Sequence, residues 1–525
     1  MSTPGTLPAA VRAAATTYAD HPAIIDGAET VTFAELHERV RTTARGYAAL
    51  GVQPGDRVGL WAPNSWEWEV AALAVSYAGG TLVPLNTRYK GHEVVDILAR
   101  TETRLVVVAD GFLGRDQTGE LVAAAAEAHA AELGSEADLV AGLPHLRAVV
   151  RLGDGDRDDT VSWSALAGHA ERVPVDEIEA RADSVTPDDV ADILFTSGTT
   201  GRSKGVLTAH RQTLAAADVW ARTGRVSADD RYLLVNPYFH SFGYKAGIMV
   251  SVLTGCAAYP QPTFDVDEVL RLIGEERITV LPGAPAIFHA LFEAPRLAET
   301  DLSSLRLAVT GAASVPVALV ERMQSELSFD TVLTAFGMTE CVVATMCRPG
   351  DPDALVASTC GPAVEGLELR IGEHDEVLLR GPMVMLGYLD DPEATAEAID
   401  PEGWLHTGDV GVVDERGYLR ITDRLKDMYI SGGFNVYPAE VEQALARLDG
   451  VVESAVVGVP DERLGEVGRA FVVRRDGAPL TEQDVVAFAR GRLASFKAPR
   501  EVVFVDALPR NLAGKVLKNE LRTGG

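Results

Sequence analysis

Short, mostly apolar runs recur along the chain, and between them apolar positions return every three or four residues. The runs Arg104–Ala109, Val190–Thr196, Ile278–Leu281 and Leu305–Thr310 do not alternate strictly with polar residues. They predict strands buried on both faces, as in a parallel sheet covered by helices. Helical spacing occupies Glu120–Leu133 and Val317–Glu326, and the alternation of the two patterns predicts an α/β architecture. The most apolar segment, Val70–Leu85, is broken by Ser76, Tyr77, Gly79, Gly80 and Pro84. It is too short and too interrupted for a bilayer and predicts a buried helix running into a strand, with no membrane span.

Past about residue 364 the texture changes. Shorter strands at Glu376–Arg380, Gly411–Asp414 and Tyr418–Ile421 predict a β-rich subdomain over about 364–424. Strands at Val451–Val459 and Ala470–Arg474, with helices at Pro438–Leu448 and Thr481–Leu493, predict a small α+β unit. The expected fold class is therefore α/β with α+β: a large N-terminal domain, 1–424, and a C-terminal domain, 425–525. The expected joint is Asp423-Arg424-Leu425-Lys426-Asp427.

Charge restricts the partners. With 47 basic against 76 acidic residues, the formal net charge is −29, which argues against a nucleic-acid surface because phosphate neutralisation needs clustered cations. Any phosphate bound here must be small and held locally. Cys256, Cys341, Cys347 and Cys360 form no C-x-x-C pair, so neither a disulfide framework nor a zinc site is indicated. The N-terminus lacks a basic n-region followed by an apolar h-region, and a cytoplasmic location is expected.

Of the 47 cations only seven are lysines: Lys90, Lys204, Lys245, Lys426, Lys497, Lys515 and Lys518. A GC-rich coding bias is the plain explanation. The alternative is that Lys persists where a compact, mobile ammonium does what a planar guanidinium cannot. Lys204 lies in Thr196-Ser197-Gly198-Thr199-Thr200-Gly201-Arg202-Ser203-Lys204-Gly205, directly after the predicted strand at 190–196. Its three glycines expose backbone N–H groups, its five hydroxyls add donors, and two cations supply charge, which together suit a polyphosphate. It is not a Walker A loop, so P-loop kinase and ATPase readings lose their main support.

Five further motifs follow in order: Phe336-Gly337-Met338-Thr339-Glu340, Trp404-Leu405-His406-Thr407-Gly408-Asp409, Asp423-Arg424-Leu425-Lys426-Asp427, Gly432-Gly433-Phe434-Asn435-Val436-Tyr437-Pro438-Ala439-Glu440, and Pro509-Arg510-Asn511-Leu512-Ala513-Gly514-Lys515. With these the chain resembles the adenylate-forming superfamily of acyl-CoA synthetases, peptide-synthetase adenylation domains and beetle luciferases. The resemblance runs almost end to end. It implies a large AMP-binding domain, a mobile C-terminal lid, and a two-step acid:CoA ligase in which a carboxylate and ATP give acyl-AMP and pyrophosphate, and CoA then displaces AMP.

The resemblance also implies roles for residues. The nucleotide site takes Thr196, Ser197, Gly198, Thr199, Thr200, Gly201 and Lys204 for the phosphates, Gly311 and Ala312 for the adenine edge, Phe336 for stacking, and Gly337 and Thr339 beside it. Asp409 accepts the ribose hydroxyls and Arg424 partners it. Glu340 and Thr196 hold Mg²⁺, and Lys515 meets the α-phosphate and the substrate carboxylate during adenylation. Lys426 is the hinge, and Gly432, Gly433, Phe434 and Tyr437 line the CoA tunnel. The acyl pocket draws on Phe239, His240, Tyr244, Lys245, Gly311 and Met338. His240, counted with the catalytic set, is expected to gate and position, because a carboxylate nucleophile needs no proton removed at neutral pH. Lys245 is left open between a substrate contact and a buried structural cation, while Lys90, Lys497 and Lys518 are expected to be solvated without a specific role.

Segments 236–247, 308–313 and 430–438 look like the actinobacterial acyl-CoA ligases of steroid (cholesterol) catabolism, which implies a bicyclic indanedione propionate as the acid. Medium-chain, long-chain and aryl acids remain alternatives, as does a stand-alone enzyme that loads a carrier protein. A luciferase-like oxygenase and a regulatory protein that has lost catalysis are weaker rivals. The sequence around Lys515 also resembles that modified by lysine acetyltransferases, which would make such an enzyme a partner. Whether the protein is a monomer or a homodimer is left open.

Overall fold

The computed structural model describes residues 3–133, 143–153, 157–158, 160–196, 203–311, 317–425, 427–431, 434–461, 464–475, 477–493, 496–510 and 516–523. Two eight-stranded sheets form its larger part. One runs in space Cys341–Met346, Thr331–Met338, Leu307–Gly311, Val280–Pro282, Arg231–Leu234, Ala257–Pro260, Pro22–Asp26 and Glu29–Thr32, parallel except at its two end pairs. The other runs Gly387–Tyr388, Lys204–Ala209, Val190–Thr196, Thr81–Pro84, Arg57–Trp61, Leu105–Ala109, Ala148–Leu152 and Val161–Ser162. It is parallel from Val190–Thr196 onward, while Lys204–Ala209 runs antiparallel to both of its neighbours.

The unbroken apolar runs behave as buried parallel strands should. In Leu105–Ala109, Leu105 and Val107 enter one core cluster, and Val106 and Val108 enter the other. The period of two is present, but both faces are dry, so no polar residue marks it. Segment 70–85 resolves into the helix Trp66–Tyr77 and the strand Thr81–Pro84. Ser65 caps the helix by accepting from the Trp68 N–H at 3.2 Å, and burial of Trp68–Tyr77 on all sides accounts for its lack of a polar face.

The β-rich region is a four-stranded antiparallel sheet of Glu368–Ile371, Glu376–Arg380, Leu405–Val413 and Leu419–Arg424. Beyond it lies a separate C-terminal domain, with strands Tyr429–Ser431, Phe434–Val436, Val451–Asp461, Gly465–Arg474 and Glu501–Phe504 and with core clusters of its own. The helix expected over 438–448 ends at Leu445, and that expected over 481–493 spans Glu482–Arg490. The expected joint is only partly a connector, because Asp423 and Arg424 end the strand Leu419–Arg424. Asp423 is buried and accepts from the Ala439 N–H at 2.8 Å.

Two lysines differ from expectation. Lys497 donates to both carboxylate oxygens of Glu440 at 2.7 Å, and Lys518 lies 2.8 Å from Glu442. Both acids sit on the helix Pro438–Leu445, whose charged turns tie the C-terminal domain together. Lys90 is exposed.

Candidate active site

Ligands of α/β proteins gather at the carboxyl ends of parallel strands, and the expected nucleotide residues lie at three such ends. Thr196 closes Val190–Thr196, Gly311 closes Leu307–Gly311, and Phe336, Gly337 and Met338 close Thr331–Met338. Glycine is required at two of these positions by close backbone approach. A Cβ on Gly311 would lie 2.6 Å from the Ala335 carbonyl oxygen, and one on Gly337 would lie 2.0 Å from that of Val342. Gly337 occupies the irregularity between Phe336 and Met338, where the antiparallel pairing with Cys341–Met346 shifts register. That bulge turns the chain into Thr339 and Glu340.

Glu340 is 8% exposed and accepts from the Tyr388 hydroxyl at 2.8 Å. Lys204, at the start of Lys204–Ala209, places its ammonium 4.7 Å from the centre of the Tyr388 ring. The Thr196 hydroxyl donates to the Lys204 carbonyl at 3.5 Å. The stems of the phosphate loop are also held by Arg100, whose guanidinium lies 5.1 Å from the Phe195 ring centre and donates to the Ser203 carbonyl at 2.9 Å. Neither Tyr388 nor Arg100 was singled out from the sequence, since each contacts the loop from a distant segment.

The expected ribose pair is brought together directly: Asp409 and Arg424 are opposite partners across Leu405–Val413 and Leu419–Arg424. Asp409 is 3% exposed, and its N–H donates to the Thr407 hydroxyl at 3.1 Å. Glu376 supports the same turn, bonding His406 at 2.8 Å and the Gly408 N–H at 2.9 Å. Gly408 has φ +68°, a left-handed conformation that a side chain would resist. This sheet reaches the strand Cys341–Met346 through Cys360, which accepts from the Thr345 hydroxyl at 2.6 Å and donates its N–H to the Leu419 carbonyl at 2.7 Å. Thr345 is the cross-strand partner of Phe336.

The acyl residues divide. Phe239 and Met338 are half-buried and His240 is exposed. The His240 Nδ1 accepts from the Phe242 N–H at 3.2 Å, which leaves the proton on Nε2. Desolvation lowers the ring's pKa below the ordinary imidazole value, which favours its neutral form. Tyr244 and Lys245 do not line the pocket. Tyr244 is 1% exposed and packs on Trp68 at 6.0 Å, while Lys245 is fully buried 2.8 Å from Asp192. Of the two roles left open for Lys245, the structural cation holds.

The segment leading to His240 is clamped by the N-terminal helix region. Asn64 donates to the carbonyls of Leu234 and Asn236 and accepts from the Tyr238 N–H at 2.8 Å, and the Tyr238 hydroxyl donates to Glu69 at 2.7 Å. Burial pushes the Glu69 carboxyl from 4.5 up to about 8, with the Tyr238 hydrogen bond opposing the shift. An acid that binds its proton more tightly when folded stabilises the fold while protonated. That contribution is complete below about pH 4.5 and is lost as pH rises through about 8. The unfolding free energy of the native protein is therefore expected to fall between pH 6 and 8 more than that of Glu69→Gln, by up to ~1.4 kcal/mol per pH unit, and its melting midpoint to drop accordingly. Parallel midpoint curves in scanning calorimetry would remove this role from Glu69.

Ser197, Gly198, Thr199, Thr200, Gly201, Ala312, Lys426, Gly432, Gly433 and Lys515 lie outside the described residues, as do the side chains of Arg424 and Phe434. Tyr437 is half-buried and precedes the helix Pro438–Leu445. Among the described residues no helix is long and apolar enough to cross a membrane.

Comparison with known proteins covers both domains. Residues 11–389 match the AMP-binding enzyme family and residues 440–515 match the AMP-binding enzyme C-terminal domain. The chain is 55% identical over 519 residues, 99% of its length and 98% of the other's, to the 3-[(3aS,4S,7aS)-7a-methyl-1,5-dioxo-octahydro-1H-inden-4-yl]propanoyl:CoA ligase of Rhodococcus jostii. It is 55% identical over 525 residues, 99% of each chain, to the ligase of the same name from Mycobacterium tuberculosis. Among solved structures, ATP-bound MatB from Rhodopseudomonas palustris superposes with a TM-score of 0.82 at 32% identity, over 99% of this chain and 98% of that one. The ordered motifs, the strand-end placement of the nucleotide residues and these full-length likenesses agree: this chain belongs to the AMP-binding, adenylate-forming enzyme family.

Proposed function

We propose that this enzyme is an ATP-dependent acid:CoA ligase whose acid is a steroid-derived bicyclic indanedione propionate. The observation that carries the reading is the 55% identity, across nearly the whole chain, to two ligases named for that acid. The geometry supports the chemistry. A carboxylate oxygen of the acid attacks the α-phosphorus of ATP, and the bond from that phosphorus to the β-phosphate bridge breaks, releasing pyrophosphate. The CoA sulfur then attacks the acyl carbon, the bond to the AMP oxygen breaks, and the thiol proton leaves to solvent. Two anions meet in the first step, so positioning and charge neutralisation supply most of the catalysis.

Asp409 and Arg424 hold the ribose, with the buried Asp409 offering the vicinal diol an acceptor-only carboxylate. Lys204 and the loop at 196–202 hold the phosphates. The donor set fits Mg²⁺: Glu340 and the Thr196 hydroxyl are hard oxygen ligands, and a magnesium bound with ATP takes one or two carboxylates and fills its shell with phosphate and water. When bound, the ion neutralises the polyphosphate. His240, neutral and at the mouth of the acyl segment, orients the acid rather than deprotonating it.

The division into 1–424 and 425–525, with Lys426 as hinge, completes the proposal. After adenylation the C-terminal domain turns about Lys426, withdraws Lys515 and brings Gly432, Gly433, Phe434 and Tyr437 along the pantetheine path, a hinge motion that changes which groups face the substrate. Pyrophosphate release across a panel of acids, with and without CoA, tests the assignment. The indanedione propionate should be the preferred acid and should yield a CoA thioester. Preference for palmitate or for a hydroxycinnamate overturns the acid, and turnover only with a carrier protein in place of CoA overturns the acceptor.

A further inference from the structure

The backbone at 385–389 is stitched to both halves of the nucleotide site. On one side Gly387 and Tyr388 pair antiparallel with Leu207 and Val206, and the N–H groups of Leu386 and Leu389 donate to the carbonyls of Leu207 and Gly205 at 2.9 and 2.8 Å. On the other side the Met385 N–H donates to the Glu340 carbonyl at 2.8 Å. The path is tightly held: Gly387 has φ +149°, a Cβ there would lie 2.8 Å from the Thr395 methyl carbon, and the Tyr388 N–H donates to the Thr395 hydroxyl at 2.9 Å. The Tyr388 side chain is therefore aimed by main-chain bonds to a strand, to the turn at Glu340 and to a helix.

Its two ends meet opposite charges. The ring face receives the Lys204 ammonium at 4.7 Å from its centre, and the hydroxyl donates to the Glu340 Oε1 at 2.8 Å. Among the described residues, Lys204 and Glu340 form no direct ion pair. A direct pair would consume both groups, one needed for phosphate and the other for a cation. A cation over a ring is held less firmly than one in a charge-assisted bond, so phosphates can draw it away. Donation goes to Oε1, and among the described residues no hydrogen bond is made to Oε2.

We infer that Tyr388 is a positioning residue that separates and aims Lys204 and Glu340, its ring face holding the ammonium and its hydroxyl the carboxylate, so that each remains available to a metal–nucleotide complex. The inference rests on the proposed nucleotide roles of those two residues and extends them to a residue that touches neither reacting atom.

The full-length protein, without acid or CoA, tests it. Mn²⁺ serves as the probe, with free Mn²⁺ followed by electron paramagnetic resonance in the presence of ATP, and metal-free ATP binding followed by calorimetry. Tyr388→Phe keeps the ring and removes the hydroxyl; the Mn²⁺ Kd should rise about tenfold, the scale of one lost hydrogen bond to a charged group, with metal-free ATP binding little changed. Tyr388→Leu removes both contacts and should weaken metal-free ATP binding as well. A melting midpoint for each variant separates this pattern from misfolding, which would depress both bindings in the Phe variant too. Unchanged Mn²⁺ affinity in both variants, or identical losses in both, overturns the inference. Failure of the native protein to bind Mn²⁺ with ATP overturns the underlying nucleotide roles instead, and the inference with them.

Discussion

Replacing Lys515 by Ala is expected to lower acid-dependent pyrophosphate release by about 10²–10³-fold, the cost of removing one preorganised charge from a transition state, while thioester formation from supplied acyl-AMP and CoA persists. The first half-reaction brings a carboxylate against a polyphosphate, and the charge to be met moves from the carboxylate toward the α-phosphate as the bond forms. An ammonium on a flexible stem can follow that movement, whereas a planar guanidinium is committed to one plane. Arg510 and Val516, on either side of 511–515, form an antiparallel bridge, the Leu517 N–H donates to the Pro509 carbonyl at 2.8 Å, and Arg510 pairs with Glu453. The residues on either side of 511–515 are thus joined to one another and to Glu453. In the proposed second half-reaction the leaving group is already AMP and the lid would have turned, which would leave Lys515 no charge to meet. Acetylation at Lys515 would act as the Ala variant does, because it erases the same charge. Equal loss of both half-reactions in a stopped-flow and product assay would sink this division of labour.

The chain shows what a pattern of residues carries and what it does not. Strands such as Val190–Thr196 and Glu376–Arg380 coincide with their runs, because runs of this kind have few other ways to be buried. Helix ends are less legible: Pro438–Leu445 stops short of its apolar pattern because Ala446 caps it and Leu448 belongs to the following turn. Asp409 and Arg424 are legible as members of motifs, yet their placement opposite one another depends on the register of two strands. Tyr388 and Glu376 escape notice for the same reason, since each acts on residues reached only through sheet pairing. Lys245 leaves two roles open in the sequence, and burial separates them. It follows the acyl segment in sequence, but the π-helical turn Tyr244–Ile248 is buried throughout and directs the ammonium inward.

Lys245→Met is expected to be the most destabilising single change outside the chemistry. Asp192 and Lys245 are both fully buried and 2.8 Å apart, and the Thr213 hydroxyl donates to the second carboxylate oxygen of Asp192 at 2.9 Å. Burial pushes the Asp192 carboxyl up and the Lys245 ammonium down, and each partner's charge opposes the shift of the other. Removing the ammonium alone leaves a carboxylate in the core with no compensating charge, at a cost of about 3–5 kcal/mol. At roughly 2.1 cal/mol/K of unfolding entropy per residue, this lowers the midpoint of the N-terminal domain by about 3–6 °C. Asp192→Leu combined with Lys245→Met removes both charges and should recover most of that loss, since a buried pair is worth little against apolar groups of similar volume. The consequence for function follows from where the partners sit. Asp192 lies on Val190–Thr196, which delivers Thr196 and the phosphate loop, and Lys245 lies five residues after His240. The ion pair thus ties the phosphate strand to the acyl segment, and the single variant should weaken ATP binding at temperatures well below its own midpoint. Scanning calorimetry of the two single variants and the double variant measures the coupling; a double variant no more stable than Lys245→Met would show that the pair is not the source of the loss.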